Sequence, residues 1–385
     1  MALPKRADGV IDGADWDTVV DSVEWQPYGY IIYKEGTTYY AKNGATGVID
    51  YSLPTTTNTA PLIQNAYDNL TTNGMMYIKD GVYQTEDTLL FDDGEKWVIG
   101  ESQSTQIYYK NDAGLLAVQF GDPAVVKNRG GMRNLRIYGY GGADVGLEVS
   151  SRYATFDNIW INSFHAGIGL KLECDYAGGM YFNNFYNLRF NDNLTDLTIG
   201  QDSTYDCNAN TFYGPVFDAG FGVDTGIIIT KGDTNTFINP KLSSKTTAIQ
   251  IDSGINDFYA PRIEACTTGF NISATNIRVF GGSITTTATP VTDAGVNNKF
   301  RDVYGFITSN SGTATILTAN TSIVVAHGCA YTPTAADITI TPTENPTNTP
   351  GLLWVDTIGA ANFTINCEND PGASNLDVSW SVRKI

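Results

Sequence analysis

Carboxylates beside tyrosine rings are concentrated in two neighbouring segments, ECDYAGGMYFN (173–183) and GQDSTYDCNAN (200–210). They hold Glu173, Asp175, Tyr176, Tyr181, Asp202, Tyr205 and Asp206. Two acids flanking a glycosidic bond can divide hydrolysis between them. The same oxygens could hold a Ca²⁺ for lyase chemistry. Asp175, Asp202 and Asp206 are the candidate catalytic acids, and Tyr176 and Tyr205 the candidate sugar-contacting rings. A Ca²⁺ in 173–183 and 200–210 is the one cofactor these segments suggest. No other cofactor or metal is expected. Ordinary polar surface loops have the same composition, so that reading stays open.

A second group emerges from alternation. Arg136, Trp160, Arg189, Val216, Lys241 and Arg262 fall at one outward position of successive repeats. Tyr138, Asn162, Asn191, Asp218, Ser243 and Glu264 follow two residues later. Guanidinium and indole planes can hold anionic or neutral sugar rings. Trp160, Arg189, Asp218, Lys241, Arg262 and Glu264 are therefore candidate glycan contacts. The alternative is a solvated or subunit-facing side, with Arg189–Asp218 and Lys241–Glu264 paired between repeats. Another outward column, Glu148, Lys171, Thr198, Ile228, Gln250 and Asn271, shows no paired carboxylates on this reading.

The elements that must position these residues repeat. MRNLRI, FDNIWI, FYNLRF, FYGPVF, FINPKL, FYAPRI and VFGGSI start at 132, 156, 185, 212, 237, 258 and 279, and Phe300 starts an eighth. Spacings of 24, 29, 27, 25, 21, 21 and 21 residues over short alternating strands indicate a solenoid. Phe156, Phe185, Phe212, Phe237 and Phe258 are expected to stack inside. Asn134, Asn158, Asn187 and Asn239 are expected at corners that need a left-handed backbone, which Asn tolerates. A second strand follows in each repeat, as in GLEV, GLKL and AIQI. Upstream, Asn58-Thr59 begins a helix with Leu62, Ile63, Ala66 and Leu70 on its apolar face and Asn73-Gly74 at its end. That helix would cap the open end, and the hairpin-like segment 30–44 would either add to the cap or form an attachment piece.

After Phe300 the rhythm stops. Six alternating strands between 313 and 382 predict a small antiparallel β-sandwich. The expected division is 1–50 as an N-terminal cap or attachment segment, 51–304 as the solenoid and 305–385 as the sandwich. The formal net charge of −18 disfavours nucleic acid as a partner. The start, MALPKRADGVIDGADW, lacks an apolar segment, so neither a signal peptide nor membrane insertion is expected. The five cysteines show no metal spacing and read as buried small residues, with Cys329 and Cys367 as the one pair worth testing for a bridge.

The run Thr59 to Gly100, a helix followed by IKDGVY and KWVIGE, resembles the opening of the pectate-lyase superfamily. That resemblance spans about 50–300 and implies an all-β protein. The fold would be a right-handed parallel β-helix with three strands per rung and an N-terminal capping helix. SIVVAHGCAYTPTAADITITP, WVDTIGAANFTINC and LDVSWSVRK resemble a C-terminal module of phage tail fibres and tailspikes. This implies trimer assembly or contact with a surface glycan, and His327 belongs to its pattern in a turn-structuring role. The Gly-His-Gly segment of polygalacturonases and the full arginine motif of pectate lyases are absent, and His165 stands alone in SFHAGIG.

Three readings follow. The first is a virion-type or surface-displayed trimeric fibre that contacts host polysaccharide and is anchored through its N-terminus to a virion or cell envelope. The second is a polysaccharide depolymerase, hydrolase or lyase, on the same scaffold. The third is a microbial extracellular adhesion protein. All three place the chain on a virion surface or outside the cell.

Overall fold

A computed structural model describes residues 28–111, 116–140, 144–218 and 224–384. The expected attachment segment lies largely outside these residues, at 1–27. The chain winds into a parallel β-helix with three strands per rung, as in Thr195–Ile199, Thr211–Tyr213 and Val216–Phe217. The first of these belongs to a nine-stranded parallel sheet, and the other two join one large sheet that bends at a corner.

The repeat sets the register. Phe156, Phe185, Phe212, Phe237 and Phe258 are cross-strand partners in order. Their rings stack inside at centroid spacings of 5.0, 4.5, 4.6 and 4.8 Å. Asn134, Asn158, Asn187 and Asn239 take φ of 57°, 54°, 52° and 51° at the corner, as their positions predict. Asn158 also donates its amide to Asn134 Oδ1 at 3.0 Å.

A second asparagine ladder, two residues before each stacked ring, is not among the sequence expectations. Asn183 donates Nδ2 to Asn210 Oδ1 (3.0 Å), Asn210 to Asn235 (3.0 Å) and Asn235 to Asn256 (3.1 Å). All four are fully buried. Each Oδ1 also accepts a backbone N–H from the rung before it, as Asn235 Oδ1 does from Asn210 at 3.0 Å. A turn that must be buried thus has its amides satisfied by side chains. Asn235→Ala removes the acceptor of two buried donors, and an unmet buried donor costs about 1–3 kcal/mol. A fall of about 2–4 kcal/mol in unfolding free energy is expected from urea titration.

The open end is closed by an antiparallel meander, Tyr30–Glu35, Thr38–Asn43 and Ile49–Pro54, whose first strand pairs in parallel with Met75–Ile78. The capping helix is Ala60–Asp68, with Pro61 in its first turn and Leu62, Ile63, Ala66 and Tyr67 buried. It ends before the expected Asn73-Gly74. Asn69 Nδ2 bonds back to Asn65 O at 2.8 Å and stops it, while Asn73 turns left-handed at φ 61° in a separate turn.

Beyond Phe306 a second hydrophobic cluster forms around Phe363, Ile365, Val378 and Trp380. It lies between two three-stranded antiparallel sheets built from the six expected strands. His327 is buried in a turn there: Nδ1 accepts the Cys329 N–H at 3.0 Å, so Nε2 carries the proton and meets Gly359 O at 3.1 Å. Cys329 and Cys367 are both free, buried thiols, as are the other three cysteines. Among the described residues no helix is long and apolar enough to cross a membrane.

Candidate functional site

Strand register assembles the predicted cationic column. Arg136, Trp160, Arg189, Val216, Lys241 and Arg262 are successive cross-strand partners on the outward face. Arg136 lies 4.2 Å and Arg189 4.9 Å from the Trp160 ring centroid. Guanidiniums from the rungs before and after therefore cover the indole, which leaves it no free face for a sugar. Its role in this geometry is to hold the two arginines flat. Burial lowers the Arg136 pKa, and Arg136 Nε donates to Asn162 Oδ1 at 2.7 Å.

Further along, Arg189 donates Nε and Nη2 to one oxygen of Asp218, at 3.1 and 2.9 Å. Lys241 also turns to Asp218, at 3.9 Å, and not to Glu264. Glu264 is taken by Arg262 of its own strand at 2.7 Å, because residues two apart on a strand share a side. The side chains of Arg189, Lys241 and Arg262 stay 50, 40 and 60% exposed. Four cations, Arg136, Arg189, Lys241 and Arg262, face two carboxylates, Asp218 and Glu264. The column is a positive stripe on an acidic chain.

The two long turns lie on each other, with Met180–Tyr181 paired in parallel to Cys207–Asn208. The candidate acids take different partners. Asp175 accepts the Thr204 N–H at 2.9 Å and so ties one turn to the next. Asp206 is exposed, and its backbone carbonyl accepts the Met180 N–H at 3.0 Å. Only Asp202 turns to the second sheet. Tyr176 is buried, and burial pushes its phenol pKa up. Its ring lies 5.0 Å from the Arg152 guanidinium, which also covers Tyr181 at 4.3 Å. Tyr205 is exposed and held by its N–H to Cys174 O at 3.0 Å.

The second outward column does carry paired carboxylates, contrary to the sequence expectation. Lys171, cross-strand from Glu148, reaches Glu148 at 3.9 Å, Glu173 at 2.5 Å and Asp202 at 3.0 Å. Glu173 joins because it follows Lys171 by two residues and shares its side of the chain; that spacing was readable in LKLE. Glu148 and Glu173 side chains are only 11 and 12% exposed, whereas Asp202 is 61% exposed. Burial, and contact with Glu173, push the Glu148 carboxyl up to about 7. Burial opposes the Lys171 charge, but its carboxylate partners hold the ammonium firmly protonated. Thr198, next in the column, is buried beside this cluster. Among the described residues no three His, Cys, Asp or Glu side chains are placed to hold a metal ion.

This gives a pH signature. A carboxyl whose pKa rises on folding binds its proton more tightly in the folded state. Between the usual carboxyl pKa and about 7 the folded protein therefore holds more protons, and stability falls as pH rises through that window. Glu148→Gln should flatten the slope and gain on the order of 1–2 kcal/mol at pH 8 relative to wild type. Denaturant titrations from pH 4.5 to 8 read this. Asp196, which burial pushes up to about 6, contributes the same slope in both proteins and cancels in the difference.

No family model matches the chain, and no curated protein matches it in sequence. Among solved structures it is similar to ORF18 of Geobacillus virus E2, at 13% identity over 87% of this chain and 83% of that one, with a TM-score of 0.54. It also matches the tailspike protein gp49 from Pseudomonas phage LKA1, at 12% identity over 90% and 70% of the chains and a TM-score of 0.35. PfbA, a surface adhesin of Streptococcus pneumoniae, matches at 9% identity over 81% and 96%, with a TM-score of 0.36. The first of these likenesses establishes a shared β-helical fold.

Proposed function

We propose that this β-helix is the shaft of a surface-displayed, tailspike-like fibre that binds acidic polysaccharide along its cationic column. The observation that carries the reading is the run Arg136, Arg189, Lys241 and Arg262, in register on one face and partly exposed, in a chain of net charge −18. Neighbouring rungs stand about 4.8 Å apart, so a polyanion lying along the shaft meets a cation on most rungs. The solved structure that shares the fold is a virus protein, which supports a viral origin for this chain. The reading includes a homotrimer. Tyr186 and Tyr213, stacked at 4.6 Å, and Tyr259 and Phe280, at 5.4 Å, form an outward ridge whose ring edges a second copy could cover. Retention of uronic-acid-containing bacterial polysaccharide on immobilised protein, with little retention of neutral dextran, is expected. Equal retention of both, or of neither, sinks the proposal.

A second reading, depolymerisation, has its own observation: the Glu148 carboxyl pushed up to about 7 beside Glu173 and the more exposed Asp202. A carboxyl still protonated near neutrality can act as general acid and a neighbouring carboxylate as base. New reducing ends from bound polysaccharide, lost in Glu148→Gln, would establish it. Unchanged product formation in that variant would remove Glu148 from the chemistry.

A further inference from the structure

We propose that the groove over Gly130-Gly131 is a discrete binding site for a short oligosaccharide, separate from the column and resting on the same glycan-binding reading. One corner of the β-helix turns left-handed in successive rungs. At other turns of this corner it carries Asn or a smaller residue: Asn73 (φ 61°), Ala209 (52°), Thr234 (57°), Asn276 (60°) and Asn297 (60°). In four consecutive rungs it carries Glu95 (70°), Arg129 (65°), Tyr153 (57°) and Phe182 (61°) instead. Large side chains are uncommon in this region, and such positions collect at ligand sites. Here Glu95, Arg129 and Tyr153 line a groove of about 690 Å³, in the range of small-molecule sites, and Phe182 stacks on Tyr153 beside it.

The floor carries no side chain at Gly131, and the Arg133 guanidinium lies 5.7 Å from the Trp97 ring centroid. Trp97, Gly131 and Thr155 are successive cross-strand partners. A Cβ on Gly131 would stand 2.9 Å from the Trp97 ring and 1.9 Å from Thr155 O. No side chain therefore lies between the indole and Thr155. Phe182 covers one face of Tyr153 at 5.5 Å and 23°, while Tyr153 itself is 50% exposed and lines the groove. Around these rings the lining adds Asn73, Asn128, Glu95 and Arg129. Rings for the C–H face of a sugar, with amides and one charge of each sign for its hydroxyls, match a carbohydrate better than a polyanion or an apolar ligand. Trp160, by contrast, has no free ring face.

The test uses the full chain on an array of neutral and uronic-acid-containing bacterial oligosaccharides, followed by calorimetric titration of the tightest binder. Tyr153→Ala and Glu95→Gln are each expected to weaken binding about tenfold or more. Tyr153→Phe, which keeps the ring, retains affinity, and unchanged thermal midpoints show that the variants fold. If Arg189→Ala/Arg262→Ala abolishes binding while Tyr153→Ala and Glu95→Gln bind as wild type, the groove is overturned and the glycan reading stands. If wild type binds nothing on the array, both fall.

Discussion

Lys245→Met is expected to destabilise the β-helix by about 3–5 kcal/mol at pH 7, the cost of leaving buried charges without their partner. Lys245 lies between Asp196 at 2.7 Å and Asp224 at 2.9 Å, with all three side chains at most 1% exposed. Burial disfavours the ammonium, yet the two carboxylates raise its pKa above the usual value. Burial lifts Asp196 to about 6 against the pull of Lys245. Without the lysine the two acids cannot both stay ionised, and the folded variant must take up a proton. The loss should therefore be largest at neutral pH and shrink as pH falls towards 5, in denaturant titrations at the two values. Adding Asp196→Asn and Asp224→Asn should recover much of it. Each amide keeps the oxygen that accepts from Asn193 Nδ2 (3.0 Å) or from the Thr246 N–H (3.2 Å). A Lys245→Met protein as stable as wild type at pH 7 would show that the triad is not closed to water.

Phe237→Ala should be of similar size, about 3–5 kcal/mol. Its ring is fully buried and stacks nearly parallel on Phe212 (4.6 Å, 4°) and Phe258 (4.8 Å, 3°). Truncation removes a rung from the interior stack and opens a cavity the stiff sheets cannot close. Phe300→Ala should cost less, because that ring meets its neighbours Phe270 and Phe306 edge-on at the end of the column. Chemical denaturation of the two variants ranks them directly.

The repeat was legible because its chemistry is local. Apolar residues two apart define the inward side of each strand, and the corner asparagines announce the left-handed turns. The outward column followed from the same periodicity, as the register of Arg136, Trp160, Arg189, Val216, Lys241 and Arg262 bears out. What lies across that column was harder to read. Two arginines covering one indole is a matter of side-chain direction, and alternation does not encode it. The Asn-x-Phe spacing at 183, 210, 235 and 256 is visible but silent, because only the stacking of rungs brings each amide onto the next. The Glu148–Lys171–Glu173–Asp202 cluster joins two strands and a turn, and only the fold brings Asp202 to the others. Lys245 reads as an ordinary surface lysine until Asp196 and Asp224, 49 and 21 residues earlier, are seen beside it.

The most direct test of the proposed function is the salt dependence of polysaccharide binding. The affinity of wild type and of Arg189→Ala/Arg262→Ala for a uronic-acid-containing bacterial polysaccharide would be measured between 50 mM and 300 mM NaCl. If the column holds the polyanion, wild-type affinity falls steeply with salt, and the double variant binds more weakly with a shallower slope. Equal affinities and equal slopes for the two proteins would contradict the account.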